Sequence, residues 1–343
     1  MDRSLIPPKV RVSLGSAIVL GLTRGRLDAK PSTVYLLTHH PTKCLANCGF
    51  CTQARSSTSK SSLLSRVVWP SFPSERVIDR LGEAARRGSI RRVCVQAVNY
   101  REVFDDVLGL VSGIRSCSNL PISVSCQPIS REGMELLADA GVNRICVPLD
   151  AATEALFEAV KGRGVGSPYS WRGHLKTLEK AIQVFGRGRV TTHLIVGLGE
   201  TDEDLVRTIQ SLVDMGVYPS LFAFTPIPGT SMEGHPRPPL PRYRRIQLAH
   251  RLTTNNKVEY GDLEFDLDGA LLSLGVPQGV LDDAIRTGKP FMTSGCPGCN
   301  RPFFNERAGG PLYNYPRVLN NEEILEAKRV VLEGSADIPR DER

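Results

Sequence analysis

From residue 74 to residue 255 the chain keeps one rhythm: a short apolar, β-branched run, then a longer amphipathic segment, then another run. The runs at 92–97, 121–126, 144–149, 190–196 and 221–225 read as strands. The segments at 74–87, 103–116, 131–140, 154–160, 172–185, 202–215 and 241–255 repeat apolar residues at helical spacing. Strands that alternate with helices pair in parallel, because each helix carries the chain back to the edge where the next strand starts. Right-handed crossovers wind such units one way. The expectation is an α/β fold, a partial or complete TIM-like parallel barrel with its chemistry at the carboxyl ends of the strands.

The flanks refine this picture. Thr33-Val-Tyr-Leu-Leu-Thr-His-His40, between Pro31 and Pro41, reads as a buried first strand. His39 and His40 are neighbours, so at most one faces inward; a polar contact near the site for one and solvent for the other are the readings. Residues 10–24 read as a helix closing one end of the core, 263–267 as a seventh strand, 278–287 as a short helix and 321–333 as a final amphipathic helix. The run 294–317 is too rich in Gly and Pro for helix or strand. Serine-rich residues 56–65 read as a loop that orders over substrate or as a mobile insertion. The expected division is an N-terminal helical cap (1–32), a barrel (33–270), an irregular extension carrying a Cys-x-x-Cys pair (271–335) and a disordered tail (336–343).

Composition bounds the function. A hydrophobic share of 41% and a charged share of 23% describe an ordinary globular protein. No apolar run approaches the roughly 20 residues that span a bilayer, and the first residues lack a signal peptide's apolar core. A cytoplasmic location follows as the expectation, with the nine cysteines as metal ligands, reactive thiols or small core residues rather than disulfides. The formal charge of +7 admits an acidic protein partner; without a basic tail or an aromatic-rich binding signature, nucleic acid ranks last and a membrane is excluded.

The chemistry concentrates in Cys44-Leu-Ala-Asn-Cys48-Gly-Phe50-Cys51. A [4Fe-4S] cube takes four thiolates as a rule, so a loop offering three leaves one iron open to an exchangeable ligand. The competing readings are a zinc site, which usually takes paired Cys-x-x-Cys or histidine, and scattered buried thiols. Side-chain alternation is expected to aim Cys94 and Gln96, Val124 and Cys126, Cys146, Pro148 and Asp150, and Thr191, His193, Ile195 and Gly197 into a common interior.

The Cys-x-x-x-Cys-x-x-Cys spacing with Phe50 before the last cysteine resembles the radical S-adenosylmethionine (SAM) superfamily. From about residue 10 to 270 the order of elements resembles biotin synthase and its relatives. The resemblance implies that Cys44, Cys48 and Cys51 hold a [4Fe-4S] cluster whose fourth iron is chelated by SAM, and that an electron from the cluster cleaves SAM to a 5'-deoxyadenosyl radical. It further implies cofactor contacts at Phe50, Ala97 (the methionyl amine), Asp150 (a ribose), Ile195 and Gly197 in Leu194-Ile-Val-Gly-Leu-Gly-Glu200 (the adenine), and Thr225 in the sixth-strand segment.

Biotin synthase carries a second cluster, held by cysteines on three strands and consumed as sulfur donor. Cys94 and Cys126 match two of those places; Thr191 stands at the third, and Cys146 is the substitute. A second reading gives part of the auxiliary site to Cys296 and Cys299, whose alternatives are half a zinc ribbon or a redox pair. The run Ser294-Gly-Cys296-Pro-Gly-Cys299-Asn-Arg-Pro resembles the C-terminal segment of the archaeal two-protein lipoyl synthases. That resemblance implies sulfur insertion into a protein-bound octanoyl chain, with a lipoyl carrier protein or domain as substrate, a related radical SAM subunit and an electron donor protein as partners. Biotin-type sulfur insertion, another radical SAM reaction (methylase or mutase) and a non-catalytic metal-binding subunit are the alternatives. His193, Asn305 and Arg307 are candidate polar contacts, and Cys117 an incidental thiol.

Overall fold

The computed structural model describes residues 6–306 and 309–333. Strands are β1 (Lys9–Val12), β2 (Thr33–Thr38), β3 (Leu63–Leu64), β4 (Val67–Val68), β5 (Ser71–Pro73), β6 (Arg92–Gln96), β7 (Ile122–Ser125), β8 (Val142–Cys146), β9 (Val190–Val196), β10 (Val217–Ala223), β11 (Glu264–Phe265) and β12 (Leu271–Ser273). Helices are α1 (Leu14–Val19), α2 (Ser74–Arg86), α3 (Val103–Cys117), α4 (Arg131–Asp139), α5 (Glu154–Val160), α6 (Trp171–Phe185), α7 (Asp202–Met215), α8 (Leu240–Thr254), α9 (Gln278–Arg286) and α10 (Asn321–Leu332).

The main sheet runs β10-β9-β8-β7-β6-β2-β1-β5. Neighbours from β2 through β10 pair in parallel, and β1 pairs antiparallel with both β2 and β5. The expected α/β parallel fold is therefore observed, in its partial form: the sheet order lists no pairing of β10 back to β5 among the described residues. Alternation along the strands separates two interiors. Val34, Leu36, Val93, Val95, Val124, Ile145, Leu194 and Val196 are buried in the core shared with the helices. Tyr35, Leu37, Cys94, Gln96, Cys146, Thr191, His193 and Ile195 line the concave side.

Helix starts follow local chemistry. Ser130, Thr153, Ser170 and Thr201 each accept a backbone N–H with the side chain at an N-cap, which satisfies donors that no helical carbonyl can reach.

Four expectations fail. Residues 10–24 do not make one helix: Val10 to Val12 belong to β1, and only Leu14–Val19 coil. Their apolar and small residues suit a buried strand as well as a helix, and pairing on both sides of β1 decides. The fourth and sixth strands start earlier than their apolar runs, at Val142 and Val217. Residues 263–267 supply only the two-residue β11, paired with β12 outside the main sheet. On β7 the alternation is one residue out. Ser123 and Ser125 register with Cys94 and Gln96, while Val124 points into the helix-packed core. The cause is that β7 ends at Ser125, so Cys126 lies on the turn after it. The expected tail at 336–343 falls outside the described residues.

Segment 294–305 runs across the open side of the arc. Toward β10, Ser294 Oγ accepts the Leu221 N–H at 2.8 Å and Asn305 Nδ2 donates to Ala223 O at 2.9 Å. Toward β2, Asn300 Oδ1 accepts the Ser32 N–H at 3.1 Å, and the Arg301 N–H donates to the Tyr35 hydroxyl at 2.9 Å. Polar bonds through a Gly- and Pro-rich strap thus stand where a full barrel would have strand ladders. Behind it, Phe291, Tyr315, Leu319 and Ala327 form a second small core with Leu248 of α8.

Three histidines predict the acid response of the fold. Burial pushes His174 down to about 3 and His250 down to about 4, and His193, on the concave side, is lowered to about 4 and adds to the same response. All three stay neutral in the folded chain while the unfolded chain takes protons below about pH 6.5. The stability they contribute is full above that pH and is lost as pH falls toward 4, at most about 1.4 kcal/mol per histidine for each unit. Urea midpoints at pH 7.5 and pH 5 should differ accordingly, and His174→Gln with His250→Gln should flatten the dependence.

Candidate active site

The strand β2 ends at Thr38, and Pro41 opens a loop whose backbone is tied to its surroundings. Cys44 N–H donates to Gln53 O at 2.9 Å, Leu45 N–H to Asn99 O at 2.8 Å and Gly49 N–H to Val160 O at 2.7 Å. Asn47 donates through its backbone to Ser167 Oγ at 2.7 Å and through Nδ2 to Val165 O at 2.8 Å. A loop pinned from both sides holds its thiols in one orientation. At Gly49 a Cβ would stand 3.0 Å from Ser231 Oγ, so a side chain there would have to displace that hydroxyl, and Met232 N–H closes on Gly49 O at 3.1 Å.

The serine-rich loop is pinned as well, by Ser57 Oγ to Gly229 O at 2.8 Å and Lys43 Nζ to Ser59 O at 2.7 Å. Leu64 and Ser65 at its end reach the chamber.

All three loop thiols line one cavity of about 260 Å³ on the concave side of the sheet, together with Cys94, Cys126, Cys146, Cys296 and Cys299. Cys117 alone of the nine cysteines lies elsewhere, at the end of α3, with Sγ on Ile114 O. Within the cavity the thiols divide. Burial raises Cys44 and Cys48 and pushes Cys51 up to about 11; Asp150 and Lys161 are the charged neighbours of this group. Burial also raises Cys94 well above the ordinary thiol range, with Cys296, Cys299 and Cys146 adding to it in that order and Arg301 opposing. Cys146 is pushed up to about 12, chiefly by burial, and Cys296 is among its neighbours. Cys126 is held at about 12 by burial and then by Cys146.

Of the two auxiliary sets read from the sequence, Cys94 is coupled to Cys296, Cys299 and Cys146, and Cys126 to Cys146. The strap brings them together: Cys299 Sγ is 3.3 Å from the Tyr35 hydroxyl and Cys296 Sγ 3.4 Å from Ser123 Oγ.

These surroundings fit iron–sulfur ligation. Thiols raised this far stay protonated unless a cation replaces the proton, and seven of them face one cavity. Among the described residues no group of three Cys, His, Asp or Glu side chains stands close enough to hold one metal ion.

Two residues that the sequence did not single out dominate the electrostatics. Lys161 is fully buried, with Nζ 2.6 Å from Asp150 Oδ2 and 5.7 and 5.8 Å from the ring centres of Phe157 and Tyr169. A single lysine near the end of an amphipathic helix carries no signal of burial. Asp150 itself adopts a left-handed φ of 70° and accepts the Ile195 N–H at 2.8 Å. Arg301 lays its guanidinium 3.8 Å from the Phe222 ring centre and donates to Ser294 O at 2.7 Å. Its position two residues after Cys299 was the available clue.

Lys161→Met is expected to cost about 3–5 kcal/mol, because it strands a buried carboxylate. Combining it with Asp150→Asn, which removes the charge and tolerates the left-handed φ, should recover much of that loss in urea denaturation.

Phe50, Ala97, Asp150, Ile195 and Thr225 all line the chamber. Gly197 is not among the lining residues: a Cβ there would stand 2.8 Å from Pro238, and its N–H donates to Glu200 Oε1 at 2.7 Å. Glu200 therefore serves as a turn anchor, held in turn by Arg242 at 3.1 Å. His193 faces the chamber, packs on Phe222 and is kept neutral by burial, which lowers it to about 4. Asn305 lines the chamber while tying the strap to β10; Arg307 lies outside the described residues. Neither His39 nor His40 lines the chamber, and His40 stacks on Tyr100 at 4.5 Å.

An arc of parallel strands with a three-cysteine loop after its first strand defines a class, and a family model described as the Radical SAM superfamily matches residues 38–212, just over half of the 343 residues. The chain belongs to the radical SAM superfamily, whose members use a [4Fe-4S] cluster with SAM. Among individual proteins it is similar to biotin synthase of Persephonella marina (28% identical over 56% of this chain and 54% of the relative). It is similar too to biotin synthase of Allorhizobium ampelinum (27%, 60% and 61%) and to an uncharacterized protein of Methanocaldococcus jannaschii (27%, 60% and 52%). The chain thus spans little more than half the length of these relatives. Among solved structures, methylornithine synthase shares the fold with a TM-score of 0.51 at 15% identity, over 71% of this chain and 67% of that one. No helix among the described residues is long and apolar enough to cross a membrane.

Proposed function

We propose that this chain is a radical SAM sulfurtransferase that inserts sulfur at an unactivated carbon of a protein-bound octanoyl chain in lipoyl assembly, working with a second, related subunit. One observation carries the reading: eight thiols face one chamber, with Cys51 coupled to Cys44 and Cys94 coupled to Cys296 and Cys299. Breaking an unactivated C–H bond and delivering sulfur to the same carbon need two centres within reach of one substrate. The cluster and SAM, when bound, supply the radical that takes the hydrogen.

The protein residues have distinct duties in this reading. Cys44, Cys48 and Cys51 hold the first cluster, while Asp150, oriented by Lys161, holds the nucleoside. Cys94, Cys296 and Cys299, with Cys146 as the nearest further thiol, hold the sulfur-donating centre. Arg301 offsets the charge that these thiolates acquire. Hydrophobic walls exclude water from the reacting carbon. An electron donor protein and an acidic lipoyl carrier complete the system in the cytoplasm, and the net charge of +7 suits the carrier.

Sulfur insertion of the biotin type is the second reading, favoured by the names of the relatives. Against it, Thr191 registers with Cys146 on the strand where the third cysteine is needed. Incubating anaerobically reconstituted protein and its partner subunit with an octanoyl-lysine peptide or with dethiobiotin, read by mass, separates the two. Sulfur gained by the peptide alone supports the proposal; sulfur gained by dethiobiotin alone overturns it.

A further inference from the structure

A second cavity of about 260 Å³ lies beside the chamber, toward the amino-terminal end of β2. Its walls come from α1 (Leu14, Ile18), the segment before β2 (Leu27, Pro31), β4 (Val68) and the strap (Phe303). It exceeds the roughly 150 Å³ of an apolar cavity that holds a benzene-sized molecule. Leu14 and Val68 are among the few large apolar side chains exposed among the described residues, each at 42%, and both sit on this cavity. Arg26 and Arg66 join the same lining.

Tyr35 and Phe304 line both this cavity and the chamber. Their rings stand 5.2 Å apart and tilted at 56°, and the Tyr35 hydroxyl touches Cys299 Sγ at 3.3 Å. The strap beside them is under backbone strain: Phe303 holds a φ of 61° and Arg301 a φ of 27°, unfavourable for side-chain-bearing residues and sustained only by surrounding contacts. A displaced Phe304 ring would therefore connect the cavity to the sulfur-rich wall of the chamber.

We infer that this side cavity is the docking groove for a linear acyl chain presented by an acidic carrier protein, which threads past Phe304 toward Cys299. The inference rests on the proposed sulfurtransferase reading for the identity of the chain. The occupant follows from chemistry. Apolar walls and exposed Leu14 and Val68 suit a flexible hydrocarbon, and the Arg26 guanidinium suits a carboxylate on the protein that carries it. The Cys44 loop follows the opposite end of β2, so nucleotide and carrier enter from different sides and both can be bound at once.

Equilibrium binding of a fluorescent acidic peptide bearing octanoyl-lysine to the reconstituted protein tests this, with the unacylated peptide and free octanoate as controls. Leu14→Glu with Val68→Glu should weaken the acylated peptide at least tenfold while iron content and substrate-free SAM cleavage hold. Arg26→Glu should weaken the acylated peptide but leave free octanoate unchanged. Should the double variant fail to fold, Val68→Glu alone, on an exposed two-residue strand, carries the measurement. Undiminished affinity in these variants overturns the groove. A wild-type protein that binds the peptide, loses it in the variants and yet adds no sulfur keeps the groove and overturns the sulfurtransferase reading instead.

Discussion

Alanine at Cys44, Cys48 or Cys51 is expected to reduce SAM cleavage to background. In the proposed reading each thiolate holds one iron of the cube, and three from the protein leave one vertex for the nucleotide. No other thiol stands ready to substitute, because the loop is tied at Cys44, Leu45, Asn47 and Gly49 to separate parts of the fold. Of the remaining cysteines of the chamber, Cys94 and Cys299 lie near Arg301. The fold should survive, since the lost side chain is small and a typical point change costs on the order of 1 kcal/mol. The measurement is 5'-deoxyadenosine released under dithionite, alongside iron content and circular dichroism. Cleavage that persists with all three replaced would remove the catalytic assignment.

The second large effect concerns the strap. Cys296→Ala with Cys299→Ala should leave SAM cleavage measurable and abolish sulfur transfer, and iron should fall from about eight to about four per chain. The separation of effects follows from the grouping: Cys94 is coupled to Cys296 and Cys299, whereas Cys48 and Cys51 are coupled to each other, to Asp150 and to Cys44. The variant should also loosen the strap, whose contact with β2 runs through Cys299 and Arg301 to the Tyr35 hydroxyl. Increased proteolysis within 294–305 reads that out. If SAM cleavage and transfer were lost together with all the iron, the two thiol sets would be one centre and the proposal would fail.

The helices α2 through α8 were legible to within a residue or so, because their period of 3.6 is written in apolar spacing. Strand limits were harder. Val142 and Val217 start β8 and β10 ahead of the apolar runs, since neighbouring strands extend the ladder past the residues that favour it. The one-residue error on β7 shows how sharply a period of two depends on where a strand ends.

Local spacing alone carried the Cys44 loop and the strand–helix alternation, because both depend on residues near one another in the chain. Proximity across the chain decided the rest. Residues 264 positions apart meet at Tyr35 and Cys299, and Lys161 finds Asp150 only inside a closed interior. Which cysteines share a wall depends on how an irregular strap crosses an open sheet, and no periodicity encodes that path.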